Sequence, residues 1–581
     1  MKRWMAVWFA ILMPAAMLAN DAKLAPELKQ RASDQMVSVI VQYKTVPGSV
    51  SKSKIRMSGG AVSGDLALVR SVTARVPLSK LGQLSDDDAV AYISPDRAVR
   101  SHLNNAVPAV LANYAWSLGF DGTGIGVAVI DSGIYQVSDL QSSTSFTSRI
   151  AYSADFVGGG TDDQYGHGTH VAGIIGGNGA YSTCSTCFVQ IRGLAPNVRL
   201  INLRVLDNNG QGSDSTVIAA IQAAVQLKDV YNIRVMNLSV GRPVFESYTQ
   251  DPLCQAVEAA WQAGIVVVVS AGNDGRDNSL GTDGYGTIEA PGNDPYVITV
   301  GAMNTKGTPD RGDDVMTSYS AKGPTVIDHI VKPDLVAPGN RMISLQEPGT
   351  LTSQNPQNRV SSNYYNMGTQ PTLPNRYFVL SGTSMATAVV SGAAALVLQQ
   401  EPTLTPDQLK ARLMKTAYKN LPQYSTVVDG GVTYTIQYDA FTIGAGYLDV
   451  QAALNNTDLA PGVAKSPTAF YDTSTGNVFF LVDSATPWGQ SAMWGASGTS
   501  GQSAMWGASA VWGNNVFLAQ SAMWGNSAMW GSSAMWGNSA MWGDSAMWGD
   551  SAMWGDSAMW GAQFTGNDPS TALSTVINGE N

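Results

Sequence analysis

Between about residues 105 and 455 the chain alternates short apolar runs with amphipathic stretches, and few architectures accept that pattern. The runs Ile125 to Ile130, Leu200 to Val205, Val235 to Val240 and Ile265 to Ser270 read as strands. Thr216 to Leu227, Gln255 to Ala263 and an Ala- and Val-rich stretch from Ser384 through Val397 read as helices. Strands alternating with helices predict a mostly parallel α/β sheet with flanking helices. With 44% hydrophobic and only 13% charged residues, the chain can bury a large core, and its 581 residues call for several domains.

Four short islands lie in this pattern: Val129-Ile130-Asp131-Ser132-Gly133, Gly166-His167-Gly168-Thr169-His170-Val171-Ala172-Gly173, Ser270-Ala271-Gly272-Asn273 and Ser381-Gly382-Thr383-Ser384-Met385-Ala386. Asp131 and Asn273 fall at or just after the carboxyl ends of strands, where open α/β sheets place their sites. A serine hydroxyl is a poor nucleophile until a histidine takes its proton and a carboxylate orients that histidine. Ser384, at a helix start, is therefore the expected nucleophile, His167 the general base and Asp131 its orienting carboxylate. Asn273 and the Ser384 backbone N–H are the expected donors to an oxyanion. Singly, each residue has a plain structural role: a helix cap for Ser384, a strand-end turn for Asp131, a left-handed turn for Asn273. Together and in this order they are not an accident. His170 is expected to be a packed structural histidine, while His102 and His329 lie outside the islands.

The order Asp, His, Asn, Ser, with Gly193-Leu194-Ala195-Pro196 and the segment Lys332-Pro333-Asp334-Leu335-Val336-Ala337-Pro338-Gly339, resembles the subtilisin-like serine proteases from about residue 35 to about residue 455. It departs from α/β-hydrolases, since Gly382-Thr383-Ser384-Met385-Ala386 is not a Gly-x-Ser-x-Gly elbow. The resemblance implies a secreted endopeptidase that cleaves extended protein substrates through an acyl-enzyme, made as a zymogen and needing no cofactor for its chemistry. It implies that Asn237, Leu238, Ser239, Val240 and Gly241 pair with substrate by β-augmentation. Glu289 stands where the family has a small residue, at the base of the main specificity pocket. A carboxylate there favours Lys or Arg before the scissile bond; the alternative is a Glu turned to solvent or paired locally. Self-cleavage is implied near Arg100-Ser101. Asp139 resembles one calcium ligand of the family, although the loop that should complete that site is replaced by the cysteine-bearing segment 178–189. Structural calcium is thus an expectation at Asp139, and acidic loops such as Asp274 to Asp283 offer further oxygen ligands with no spacing specific to calcium.

The remaining chain reads as follows. Residues 1–19 have the charges and apolar run of a secretory signal, an uncleaved anchor being the alternative. Residues 20–100 resemble an inhibitory α+β prosegment, with strands at Val37 to Tyr43, Val72 to Val76 and Val90 to Ser94 and a helix at Leu78 to Leu84. The catalytic domain spans 101–455, and 456–487 form a linker or small strand pair. Residues 488–561 repeat Ser-Ala-Met-Trp-Gly-x, and 562–581 are a tail. A period of six is even, so a strand would put every Trp on one face, whereas a helix would scatter them. The repeats are thus expected to be β structure, the alternative being a low-complexity tail that orders only on a surface.

Residues after 105 carry 20 basic against 36 acidic side chains, which argues against nucleic acid as a partner. Residues 20–105 carry 12 basic against 8 acidic, which suits a prosegment that binds its own acidic enzyme. Trp faces stack on sugars and partition to interfaces, so contact with a cell surface or polysaccharide through the repeats is expected. A surface-binding repeat protein with a secondary protease domain is the rival reading. Cys184 and Cys187 are expected to close a local disulfide, because no second pair of ligands exists to complete a zinc site. Cys254 is then a buried free thiol.

Overall fold

A computed structural model describes residues 23–25, 28, 35–95, 106–279, 281–366, 375–429, 431–472, 477–481 and 577–580. The expected signal (1–19), the cut at Arg100-Ser101 and the repeats (488–561) lie outside the described residues. The chain divides into two compact units, residues 1–100 and 101–581.

In the first unit, β1 (Met36–Tyr43), β2 (Ala61–Leu66), β3 (Ser71–Pro77) and β4 (Val90–Pro95) form an antiparallel sheet in the order β2-β3-β1-β4. Alternation sets the register: Val39 and Val41 of β1 lie opposite Ala74 and Val72 of β3, all buried on one face. Ile55, from a helix at Ser49–Met57 that the sequence reading did not pick out, joins this core. The expected helix at Leu78 to Leu84 is a 3-10 turn at Leu78–Lys80 running into a short α-helix at Leu81–Ser85.

The second unit is built on β5 (Gly126–Asp131), β6 (Ile150–Asp155), β7 (Arg199–Arg204), β8 (Ile233–Leu238), β9 (Val266–Ser270), β10 (Ile298–Asn304), β11 (Val315–Met316) and β12 (Leu335–Pro338). Their order is β11-β10-β9-β8-β5-β7-β6, with β12 also on β10, and every pairing is parallel except β10 with β11. The strand order turns back beside β5, so the carboxyl end of β5 opens into the crevice such sheets use for their sites. Every residue of β5, β9 and β10 is buried, as a sheet covered on both faces requires.

The helix Thr383–Gln400 runs through this unit with Thr383 to Leu398 all buried. It packs on β8, β9, β10 and β12 and against the helix His167–Gly176. Ala, Gly, Ser and Val dominate it, because a helix covered on every side needs small side chains to let its neighbours approach. Around this body lie an antiparallel sheet of β13 (Met342–Leu345), β14 (Arg359–Val360) and β15 (Tyr377–Leu380), and a hairpin of β16 (Tyr424–Asp429) and β17 (Val432–Gln437). A second hairpin, β18 (Thr468–Asp472) with β19 (Asn477–Leu481), occupies the stretch read as a linker or small strand pair. Among the described residues, no helix is long and apolar enough to cross a membrane. Cys184 and Cys187 are joined in a disulfide, and the buried Cys254 thiol donates to Asn293 Oδ1 at 3.3 Å.

One buried charge cluster ties the segment entering β12 to β10, to the helix Pro406–Thr416 and to Ser466. Asp334 accepts from Lys332 Nζ and the Thr299 N–H, each at 2.7 Å, and from Ser466 Oγ at 2.5 Å, while Lys410 Nζ lies 3.2 Å away. Both lysines and Asp334 have fully buried side chains, so removing the carboxylate would strand two cations in an apolar medium. Asp334→Ala is expected to destabilise the protein by about 3–5 kcal/mol, read as a lower denaturant midpoint. Asp334→Asn, which keeps the shape, should lose less.

Candidate active site

Three elements deliver the chemistry-bearing groups to the carboxyl edge of the sheet. Asp131 ends β5, His167 opens its helix after Gly166, and Ser384 lies in the first turn of the helix Thr383–Gln400. His167 Nδ1–H donates to Asp131 Oδ1 at 2.7 Å, and the same oxygen accepts the Ser132 N–H at 2.7 Å. With Nδ1 committed to the carboxylate, Nε2 is the nitrogen left to exchange a proton. Among the described residues, Ser384 Oγ has the Ser239 carbonyl at 3.4 Å as its partner, and not His167. Such loosening is usual in ligand-free sites, where the nucleophile's bond to its base tightens only around substrate.

Asn273 follows β9 and reaches the same place. Its Oδ1 accepts the Thr383 N–H at 3.0 Å and the Thr383 hydroxyl at 3.2 Å. The carbonyl end of the amide is thereby used, and the Nδ2 donors are the end left for a ligand. The N–H groups of the first helical turn have no intrahelical acceptor, and they carry the positive end of the helix dipole. The arrangement can therefore place two N–H donors beside one hydroxyl.

Sequence reasoning missed Asp163. Its Oδ1 accepts from Ser132 Oγ at 2.8 Å, Gly166 N at 2.6 Å and Tyr165 N at 3.1 Å, while Oδ2 accepts from Thr169 N at 2.8 Å. Ser132 Oγ in turn accepts the Gly168 N–H at 2.9 Å. One buried carboxylate thus staples the turn after Asp131 to the start of the His167 helix. An Asp shortly before a glycine-capped helix was the available signal, since such a side chain takes the orphan N–H groups of a first turn.

Burial favours the neutral His167 imidazole, but the charge and hydrogen bond of Asp131, helped by Asp163, outweigh it and raise the His167 pKa above 6.5. His170 is pushed the other way, to about 3, by burial and by the neighbouring His167. Its Nε2–H is shared by the Met342 and Phe378 carbonyls, both at 3.1 Å, so it knits the β13–β15 sheet to the helix.

The segment read as substrate-binding is divided. Asn237 and Leu238 are the last two residues of β8 and are buried, and Asn237 serves the long helix: Ser391 Oγ donates to its Oδ1 at 2.9 Å. Ser239 is also buried, its hydroxyl donating to the Ser384 carbonyl at 3.0 Å. Val240 and Gly241 are the members with exposure. Glu289 lies between Gly241 and Gly272, so close that a Cβ on Gly241 would collide with its carboxyl and one on Gly272 would sit 2.8 Å from its Cγ. Its N–H donates to the Ala271 carbonyl at 3.0 Å, and the adjacent Ala290 pairs with Arg242. The Glu289 and Asp274 carboxyls share a hydrogen bond, which requires one proton between them. Burial, and then the neighbouring carboxyl, raise the pKa of Glu289 well above the usual range.

Asp139 does not fit a calcium ion. Its oxygens accept the Tyr181 N–H at 2.6 Å and the Tyr377 hydroxyl at 2.9 Å. Arg149 supplies the positive charge there, donating to the carbonyls of Asp139, Gly176 and Val198 at 2.7, 2.5 and 3.1 Å. Burial raises the Asp139 carboxyl to about 6. Calcium needs free oxygen ligands, and here N–H and O–H donors hold them. Among the described residues, no group of three or more His, Cys, Asp or Glu is placed to hold a metal.

The sequence profile of the subtilase family matches residues 122–446. Serine protease AprX of Bacillus subtilis (strain 168) is 38% identical over 340 residues, covering 57% of this chain and 70% of that protein. Subtilisin E of the same organism is 28% identical over 463 residues, 78% of this chain and 98% of its own length. An extracellular serine proteinase of Thermus sp. (strain Rt41A) is 34% identical over 373 residues, 61% of this chain and 72% of its own.

The opposed shifts predict distinct histidine titrations by NMR. His167 should protonate with an apparent pKa above 6.5, so its basic form is lost as pH falls through that value, while His170 should stay neutral down to about 3. Asp131→Asn removes the raising charge and should move the His167 titration downward.

Proposed function

The chain belongs to the subtilase family and is a serine-type endopeptidase, and we propose that Asp131, His167, Asn273 and Ser384 carry its chemistry. The 2.7 Å contact between His167 and Asp131 is the observation that carries this reading. His167 Nε2 takes the Ser384 proton as Oγ attacks the scissile carbonyl. Asp131 holds the tautomer and offsets the imidazolium charge. Asn273 Nδ2 and the Ser384 N–H receive the oxyanion, and His167 then protonates the leaving amine. Water repeats the sequence on the acyl-enzyme, and no step uses a cofactor. A serine-reactive phosphonate should label Ser384 and abolish casein cleavage. Asn273→Ala should lower kcat by about 10²–10³-fold, a scale set by subtilisin itself.

Glu289 and Asp274 are read as the acidic floor of the pocket for the residue before the scissile bond. A pair sharing a proton carries about one negative charge, and a bound Lys or Arg would favour losing the proton. Support comes from the close approach of Gly241 and Gly272 to Glu289. On peptide substrates, the Lys-over-Leu ratio of kcat/KM should grow with pH. Glu289→Gly should lower that ratio at least about tenfold, roughly 1.4 kcal/mol; an unchanged ratio sinks the pocket reading.

Residues 1–19 are proposed as an export signal and 20–100 as an inhibitory prosegment released after Arg100. The protein would then act outside the cell, with the Trp repeats holding it to a surface or polysaccharide. N-terminal sequencing of the exported protein should begin at Ser101, and Ser384→Ala should leave the prosegment attached. Removing 488–561 should spare peptide hydrolysis and reduce retention on cell surfaces.

A further inference from the structure

Residues 577–580, beyond the repeats, are built into the body that holds the proposed catalytic groups. Ile577 and Glu580 are buried, at 6% and 1% exposure. Glu580 Oε1 accepts from Arg276 Nη2 at 2.7 Å, from the Ser318 N–H at 2.9 Å and from the Ser318 hydroxyl. Asn340 holds the Glu580 backbone on both sides: its Nδ2 donates to the carbonyl at 2.7 Å and its Oδ1 accepts the N–H at 2.8 Å. Asn358 Nδ2 donates to the Ile577 carbonyl. Gly579, at φ +63°, leaves no room for a side chain, because a Cβ there would collide with Ser381 Oγ and sit 2.8 Å from Asn340 Oδ1. A buried carboxylate with a cationic partner and a satisfied backbone is a socket, not a chance contact.

The socket is built from segments that adjoin the reacting groups in sequence. Arg276 is three residues past Asn273, and its guanidinium also donates to Ser318 Oγ at 2.7 Å, meets Asp429 at 2.8 Å and covers the Tyr434 ring at 4.8 Å. Ser381 begins the turn into Ser384, and Gly382 N–H donates at 2.8 Å to the carbonyl of Gly339, the residue before Asn340. The segment therefore touches both the loop that carries Asn273 and the turn that carries Ser384.

We propose that residues 577–580 are a docked tail that braces these two loops, so that the chain is anchored to the catalytic body on both sides of the Trp repeats. At the near end, β18 is tied to the body by the Ala469 N–H donating to the His329 carbonyl at 2.8 Å, and Phe480 of β19 meets Phe441 edge-on at 5.6 Å. At the far end, Glu580 is the anchor. Residues 466–581 contain no Lys or Arg. An enzyme that cuts after basic residues therefore has no site between the two anchors. A cut made there by another protease would leave the tail bound without a covalent link.

The test uses the full chain with a site-specific protease sequence inserted after Ala562. After cutting, native mass spectrometry and gel filtration should find the tail still with the body and kcat unchanged. In the cut Glu580→Gln chain the tail should separate and kcat should fall several-fold with KM little altered, and Glu580→Asp should restore part of both. A wild-type tail that leaves on cutting with kcat unchanged overturns the proposal, as does a Glu580→Gln chain that matches wild type in retention and kcat. If the variant does not fold, retention in the cut wild-type chain still decides. The kcat readout rests on the proposed role of Asn273, while retention does not. A tail that stays bound in a protein indifferent to Asn273→Ala would sink that role and leave the docking standing.

Discussion

The second unit is organised by a helix that has no solvent face. Thr383 to Leu398 are buried throughout, so the sheet and the His167 helix must approach a cylinder of small side chains. The amino end of a helix enclosed in this way is shut off from water, and neighbouring groups must serve it and its polar side chains instead. Thr383 bonds to Asn273, Ser239 bonds to the Ser384 carbonyl, and Ser391 bonds to Asn237. These same bonds seat Ser384 at the carboxyl edge of the sheet. Structural necessity and chemical placement are one arrangement here: the first-turn N–H groups left over are those an oxyanion would use.

Electrostatics then separates groups that the sequence leaves alike. His167 and His170 stand three residues apart on one helix, yet Asp131 and Asp163 favour the charged form of the first, while burial and the neighbouring His167 keep the second neutral. Asp163 acts by geometry, gathering N–H groups from the turn and the helix start, so that the 2.7 Å contact between Asp131 and His167 is held from both sides. The carboxyl pair Asp274 and Glu289 shows the opposite use of burial, with one proton shared by two acids. Asp139, which resembles a cation ligand in sequence, has its carboxylate oxygens taken by the Tyr181 N–H and the Tyr377 hydroxyl instead.

Much of the fold was legible because burial on both faces leaves a plain mark. The expected strands ending near Asp131 and Ser270 match β5 and β9 to within a residue. Less was legible where an element is short or exposed: the Ser49–Met57 helix buries only Ile55, and the expected Leu78 to Leu84 helix begins as a 3-10 turn. β8 ends two residues earlier than expected, so Asn237 and Leu238 close the strand as buried residues and Val240 and Gly241 lie beyond it with exposure.

The sequence by itself determined the type of sheet, the family and the residue types available for the reaction. Those follow from local patterns of apolar spacing and from short motifs in a fixed order. Only the tertiary structure decided which partners each group has. Tyr377 reaching Asp139 across 238 positions, Ser391 reaching Asn237 across 154 and Glu580 reaching Arg276 across 304 are all contacts between distant segments. The physical reason is that a charge or an N–H group is satisfied by whatever the fold brings within about 3 Å, and no local pattern records that.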